Sequence, residues 1–303
     1  MNRCTYVLAC IIRACINKGR EFICTACTKL TARRIAVMLD IITTKITDTI
    51  YEFTESADFD GSGQVRPYVD AYLLIGEEKA ILVDALQKVT DLFEAVRKVT
   101  AFPIDVIITH GHLDHAGASL PKFYENGSKI YMNMKDYDLL ASSVPTTKFE
   151  FFTPLEGGEI FDIGTYKLEC ILCPGHTEGC VVFLDRDRQL LFSGDSIGSG
   201  IIFMQIPCCI SVEEYRESVR HLLEETKDLP DLKIYPGHRN QSPVQLTRQY
   251  IEDNLVIAEG ILDGSMVGEK QHMDFHGKPL DYRTLEHGQM RVFCYNPENI
   301  RRK

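Results

Sequence analysis

Nowhere does the chain hold a run of about 18 to 20 apolar residues, the length a helix needs to cross a bilayer, and no membrane partner is expected. Basic residues are in deficit: 33 Lys and Arg stand against 43 Asp and Glu, giving a net charge of −10 and a pI near 5.4. Phosphate binding draws on a basic surface, so no nucleic-acid partner is expected either. Low-complexity tracts are missing, as is any repeat of solenoid period. Hydrophobic residues at 45% and charged residues at 25% match a folded globular protein and not a disordered one. With 303 residues the chain can bury the core of one large α/β domain or two smaller ones.

Cysteine is present without a framework. The count is odd, eleven, and Cys4, Cys10, Cys15, Cys24 and Cys27 crowd the beginning of the chain. Cys170, Cys173, Cys180, Cys208, Cys209 and Cys294 follow at irregular spacing. Reduced thiols and a cytoplasmic location are the expectation. The apolar stretch Thr5 to Ile16 is broken by Arg13 and lacks a small-residue cleavage site, which makes it a poor secretory signal. Cys24-Thr-Ala-Cys27 has CxxC spacing, but a single pair with no βαβ pattern around it reads as coincidence. Residues 1–45 are taken as an N-terminal extension, with 1–37 dispensable because the sequence from Met38 runs smoothly into a domain spanning 46–303.

Within that domain the periodicity alternates. Asp48 to Phe53 is β-prone, and Asp60-Gly61-Ser62-Gly63 signals a loop. Tyr68 to Ile75 and Lys79 to Asp84 read as a hairpin. Val89, Leu92, Phe93, Val96 and Val99 recur at helical spacing, and Ile104 to Thr109 reads as a buried strand. Strand, helix, strand in succession predicts an α/β layered architecture. Further on, Lys129 to Met132 is strand-like, Lys135 to Ala141 helical, and Val144 to Gly158 a loop that covers a site. Strands are predicted at Tyr166 to Leu172, Val181 to Leu184, Gln189 to Phe192 and Leu232 to Tyr235. A helix from Val212 is announced by Ser211 and Glu214 as a capping box. A second helix runs from about Pro243 to Leu262, followed by a polar tail that ends in the β-prone stretch Gln289 to Tyr295.

The chemistry concentrates at strand ends. Thr109-His110-Gly111-His112-Leu113-Asp114-His115 follows the strand that starts at Ile104 and offers three imidazoles and a carboxylate. Such ligands suit zinc first, with iron or manganese as alternatives. Pro174-Gly175-His176-Thr177, Gly194-Asp195 and Pro236-Gly237-His238 each close another strand. Taken singly, His176 and His238 are more often structural histidines, and Asp195 a turn residue. Jointly, His110, His112, Asp114, His115, His176, Asp195 and His238 are close to what two adjacent metal ions need. His221, His272, His276 and His287 fall outside the pattern and receive no role.

His-x-His-x-Asp-His at 110–115, with Pro-Gly-His-Thr at 174–177, Gly-Asp at 194–195 and Pro-Gly-His at 236–238, resembles the metallo-β-lactamase superfamily over roughly residues 46–260. The resemblance implies a four-layer αβ/βα sandwich of two mixed β-sheets flanked by helices. It implies that His110, His112 and His176 hold one ion, that Asp114, His115 and His238 hold the other, and that Asp195 bridges them. Asp84 is a candidate acceptor orienting a ligand histidine, with a plain turn residue as the even alternative.

The implied reaction is hydrolysis by a metal-bridging hydroxide, with Asp114 a candidate for proton transfer. Oxygen-reducing diiron relatives have glutamate where His112 stands, and RNA-processing relatives bring extra domains and basic surfaces. What remains is a small-molecule thioester, ester or lactone hydrolase, as in glyoxalase II or the acyl-homoserine lactonases. A β-lactamase-type amide hydrolase is the alternative, and a non-catalytic metal-binding protein is the least favoured. Ile201, Ile202, Phe203 and Met204 read as buried structure more than as an acyl pocket, and Cys208 and Cys209 as pocket wall or core. Glu178 departs from the proline that relatives often carry there and adds negative charge at the entrance.

Overall fold

All four side chains of Ala80–Val83 are buried, and they alternate between two cores: Ala80 and Leu82 face one, Ile81 and Val83 the other. A strand buried on both faces needs a layer on each side of its sheet. The computed structural model supplies both, and describes residues 41–57, 66–87, 91–275 and 277–302. Residues 1–40 of the proposed extension 1–45, with Cys24 and Cys27, lie outside the described residues, as do the loop Asp60 to Gly63, Val89 and His276. The site lies in the unit made of Ile41–Glu55 and Tyr68–Lys303.

One seven-stranded sheet holds, side by side in chain order, β1 (Ile41–Lys45), β2 (Ile50–Ala57), β3 (Arg66–Ile75), β4 (Ala80–Val83), β5 (Ile104–Ile107), β6 (Ile130–Met132) and β7 (Phe152–Pro154). β3 and β4 form the expected antiparallel hairpin, and β4 through β7 are parallel. Next come β8 (Ile160–Asp162), β9 (Lys167–Leu172), β10 (Val181–Asp185) and β11 (Leu190–Gly194), then β12 (Ile201–Met204), β13 (Lys233–Pro236) and β14 (Leu246–Thr247). All of these except β12 make a six-stranded sheet ordered β14-β13-β11-β10-β9-β8. β12 joins a third, four-stranded sheet with β17 (Met290–Tyr295), β16 (Lys278–His287) and β15 (Glu269–Phe275).

The helices are α1 (Leu92–Val99), α2 (Leu120–Glu125), α3 (Tyr137–Ser143), α4 (Val212–Glu225) and α5 (Arg248–Asp263). Three hydrophobic clusters fill the gaps of the helix-sheet-sheet-helix stack. Leu92, Val96, Phe123 and Leu140 pack on one face of the first sheet with Ala80, Leu82 and Val106. Between the two large sheets, Tyr72, Ile81, Val83 and Ile107 meet Phe161, Val181, Phe183 and Phe192. Behind the second sheet, Val182, Leu184 and Leu191 meet Tyr215, Val219, Ile251 and Ile257 of α4 and α5, together with Met290 and Phe293. The capping box at the start of α4 is formed in both directions, Ser211 accepting from Glu214 N and Glu214 accepting from Ser211 N. No helix among the described residues is long and apolar enough to cross a membrane.

Two expectations are corrected. Val144 to Gly158 is not simply a covering loop: Phe152–Pro154 pairs with β6, and burial of Phe151 and Phe152 against the first core draws this segment into the sheet. The polar tail after Gly264 is folded too. β15 and β16 pair from Glu269↔Thr284 to Phe275↔Lys278, and both strands are so exposed that their composition carries no apolar alternation to reveal them. The run after Asp195 is β12, with Ile202 and Met204 buried in the core, so it is mainly structural.

Candidate metal centre

The seven candidate ligands follow four strands of the two large sheets. His110, His112, Asp114 and His115 come after β5, His176 after β9, Asp195 after β11, and His238 after β13. All seven are brought together. Ligand atoms within 4.8 Å of one another form three groups: His110, His112 and His176; His110, His115 and Asp195; and Asp114, His115 and His238. His110 and His115 are fully buried, and His176, Asp195 and His238 nearly so.

Several contacts set this convergence. Asp84, just past β4, sits at φ 63°, a left-handed conformation that costs a non-glycine residue energy and is kept where the surroundings enforce it. Its carboxylate accepts from Thr109 N at 2.8 Å and Thr109 Oγ1 at 2.9 Å, and lies 2.8 Å from His115 Nδ1. The acceptor reading of Asp84 therefore holds. Asp136, which carried no motif in the sequence, accepts from Gly111 N (2.8 Å), Thr177 Oγ1 (2.6 Å) and Gly179 N (2.8 Å), tying the loop of His110 to the loop of His176. Asp70 accepts from Arg239 N at 2.7 Å and donates its own N–H to Gly237 O at 2.8 Å, which holds the turn of His238 against β3. Gly237 is required by space: a Cβ there would lie 2.3 Å from His115 Cε1 and 2.7 Å from Asp195 Oδ1.

Each imidazole has one nitrogen engaged by the fold and one turned inward. His176 Nδ1 donates to Phe203 O (2.8 Å), and His238 Nδ1 to Tyr68 O (2.6 Å). A carbonyl only accepts, so both rings carry a hydrogen on Nδ1 and turn Nε2 to the centre. His115 is held the same way by Asp84, and His110 Nδ1 lies 3.1 Å from Thr109 Oγ1. His112 is reversed: its Nδ1 is 3.0 Å from His110 Nε2, while its Nε2 is 3.4 Å from Cys208 Sγ. Near the middle, Asp195 Oδ2 is 3.1 Å from His238 Nε2, 3.7 Å from His115 Nε2 and 3.9 Å from His176 Nε2.

Electrostatics follow the same plan. Burial pushes Asp195 up, but His238 and His115 outweigh it and hold the carboxyl well below the usual range. Burial likewise opposes charge on His238, yet Asp195 raises it to about 9. In His115 the carboxylates of Asp195, Asp114 and Asp84 overcome burial and lift the ring well above its ordinary value. His110 is driven well down by burial, then by the neighbouring imidazoles. Cys208 is pulled down to about 4 by a hydrogen bond from Cys209, against burial, with His112 adding to the pull.

The residues fit divalent metal. His115 Nε2 and Asp195 Oδ1 are buried with no hydrogen-bond partner among the described residues, a cost that coordination removes. Neutral imidazole and carboxylate donors are what zinc accepts.

Four side chains at the site were not singled out by sequence: Asp70, Asp136, Thr109 and Tyr68, whose hydroxyl donates to Asp114 Oδ2 at 2.7 Å. Burial and then Asp114 raise the Tyr68 pKa, so it keeps its proton. Glu178 pairs with Lys135 at 3.0 Å, which offsets the negative charge expected at the entrance. Gly194-Asp195-Ser196-Ile197-Gly198 has the spacing of a serine-nucleophile turn, but Ser196 is fully buried and donates to Val181 O at 3.3 Å, so it is no nucleophile. His272 lies exposed beside Asp281, far from any role in the cluster.

Residues 66–238 match the family model described as the metallo-beta-lactamase superfamily. The probable polyketide biosynthesis zinc-dependent hydrolase BaeB of Bacillus velezensis is 26% identical over 185 residues, 59% of this chain and 76% of that protein. Hydroxyacylglutathione hydrolase GloC of Haemophilus influenzae is 25% identical over 179 residues, 55% of this chain and 84% of its own. A solved metallo-beta-lactamase from Pontibacter korlensis superposes with a TM-score of 0.57 at 17% identity, covering 73% of this chain and 99% of that one, a likeness of fold.

Proposed function

Since the chain belongs to the metallo-beta-lactamase superfamily, whose similar members are metal-dependent hydrolases, we propose that it hydrolyses a small-molecule thioester, ester or lactone with two divalent ions, zinc being the first candidate. In this reading His110, His112 and His176 hold one ion, Asp114, His115 and His238 hold the other, and Asp195 serves both. Two such ions, when bound, supply hydroxide near neutral pH and polarise the substrate carbonyl.

The observation that carries the reading is the division of labour within each imidazole, one nitrogen anchored outward and one facing the cluster. A structural histidine has no need to leave a buried nitrogen unpaired, as His115 Nε2 is. Asp114 is held below the usual carboxylate range because His115 and His238 overcome its burial, and Tyr68 donates to it. We assign Asp114 ligation on that basis, since a carboxylate held ionised is the form a cation takes.

Thioesters lead the substrate classes. A thiolate whose thiol has a pKa of about 8.5 leaves without prior protonation, whereas an amide nitrogen needs a proton delivered. GloC acts on hydroxyacylglutathione. The test is turnover by the metal-loaded protein on a panel of thioesters, lactones, phosphoesters and β-lactams. Thioester or lactone hydrolysis is expected. Faster β-lactam turnover would replace the reading with an amide hydrolase, and no turnover anywhere, with two ions bound per chain, would end it.

A further inference from the structure

Four of the five clustered imidazoles lean their outer nitrogen on oxygen: Thr109 Oγ1 behind His110, Asp84 Oδ2 behind His115, Phe203 O behind His176 and Tyr68 O behind His238. His112 alone leans on sulfur, with Nε2 3.4 Å from Cys208 Sγ. It is also the one ring of the five that turns Nδ1, and not Nε2, toward the cluster. A histidine that binds through one nitrogen is oriented by what the other one meets. Without a partner, the His112 ring is free to rotate about its Cβ–Cγ bond and withdraw Nδ1 from His110.

The segment bearing Cys208 is built to hold still. Cys209 N donates to Ile206 O at 3.1 Å, and Ile210 N donates to Gly175 O at 3.1 Å, beside His176. Cys209 Sγ lies 3.0 Å from Phe203 O and 3.2 Å from His176 O, so it packs against the same carbonyl that anchors the His176 ring. From the far side Asn299 Nδ2 donates to Cys209 O (3.2 Å) and Ile210 O (3.1 Å). Cys208 therefore closes a turn from Ile206 and is followed at once by two residues tied to other parts of the chain, which sets its sulfur behind His112. A half-buried thiol serving only as wall would need none of this registration.

We propose that Cys208 is the positioning residue of His112: its sulfur accepts the hydrogen of Nε2 and thereby commits Nδ1 to the ion shared with His110 and His176. The inference rests on the metal reading above, and its test separates the two. In the cobalt(II)-substituted protein, ring N–H protons of ligand histidines give hyperfine-shifted, solvent-exchangeable proton resonances, one for each anchored ring. Wild type is expected to show five, matching the five anchored imidazoles. Cys208→Ala should lose one of them to rapid exchange, keep the other four, and weaken metal affinity at that site about tenfold or more. Cys208→Ser, which restores an acceptor, should recover the signal and most of the affinity.

If Cys208→Ala keeps all five signals and wild-type affinity, the positioning role is wrong while the metal site stands. A thiolate-to-cobalt charge-transfer band that vanishes in Cys208→Ala would overturn it differently, by making Cys208 a direct ligand. Failure of the wild type to bind cobalt or zinc would overturn the metal reading itself.

Discussion

Asp84 and His115 face each other across 31 residues of sequence with both side chains buried, Oδ2 to Nδ1 at 2.8 Å. The same carboxylate accepts two hydrogens from Thr109, so a single side chain at the end of β4 sets both the strand exit and the ring orientation of the motif that follows β5. Removing this acceptor by Asp84→Ala should lower metal affinity by about 10- to 100-fold. Competition with a chromophoric chelator measures it, and an unchanged affinity would reduce Asp84 to a turn residue.

Gly237→Ala should act through space and not through chemistry. The new methyl would press on His115 Cε1 and Asp195 Oδ1, neither of which belongs to a flexible chain end. Metal content after purification should fall well below that of the wild type, while the secondary structure seen by circular dichroism stays. Full metal loading of the variant would show that the His238 turn can shift without loss.

Protons and metal should compete for His238. Its imidazole, raised to about 9 by Asp195 against the effect of burial, is protonated at neutral pH in the metal-free protein. The ligand nitrogen must be proton-free to coordinate, so metal uptake at pH 7 should release at least about one proton. Affinity should climb with pH and level off above about 9. Calorimetric titration in two buffers of different ionisation enthalpy counts the proton. Zero release, or affinity that falls as pH rises, would contradict the assignment.

The space between the large sheets should be the costliest to empty. Phe183 is fully buried there, its ring 6.1 Å from that of Phe161 on the neighbouring edge of the same sheet. Phe183→Ala should destabilise the fold by about 3–5 kcal/mol through lost transfer energy and a residual cavity. Urea denaturation followed by fluorescence or circular dichroism reads this directly; a loss under about 1 kcal/mol would mean that the two sheets do not share a tight core.

The seven ligand-type residues were legible because few side chains suit a cation, imidazole and carboxylate among them, and here they recur together after strands. Their placement after strands was legible as well, because Ile104 to Thr109 and Gln189 to Phe192 are unmistakably apolar and glycine follows each run closely. β7 was hidden by prolines and glycines on either side, and the β15–β16 hairpin by its solvent exposure, which removes the alternation a half-buried strand would carry. The third sheet depends on β12 and β17 meeting from positions about 90 residues apart, a pairing no local pattern encodes.

By itself, then, the sequence determined the layered α/β class, the amphipathic helices with the Ser211 cap, and the identities of the side chains clustered at the site, since periodicity and ligand chemistry are local properties. Only the tertiary structure decided how those side chains are held. Asp136 joins two loops 25 and 41 residues away, and Cys208 reaches His112 across 96 residues. An aspartate or a cysteine carries no mark of the ring or amide it will meet. The partner is chosen when the two large sheets stack and bring the ends of β5, β9, β11 and β13 to one place.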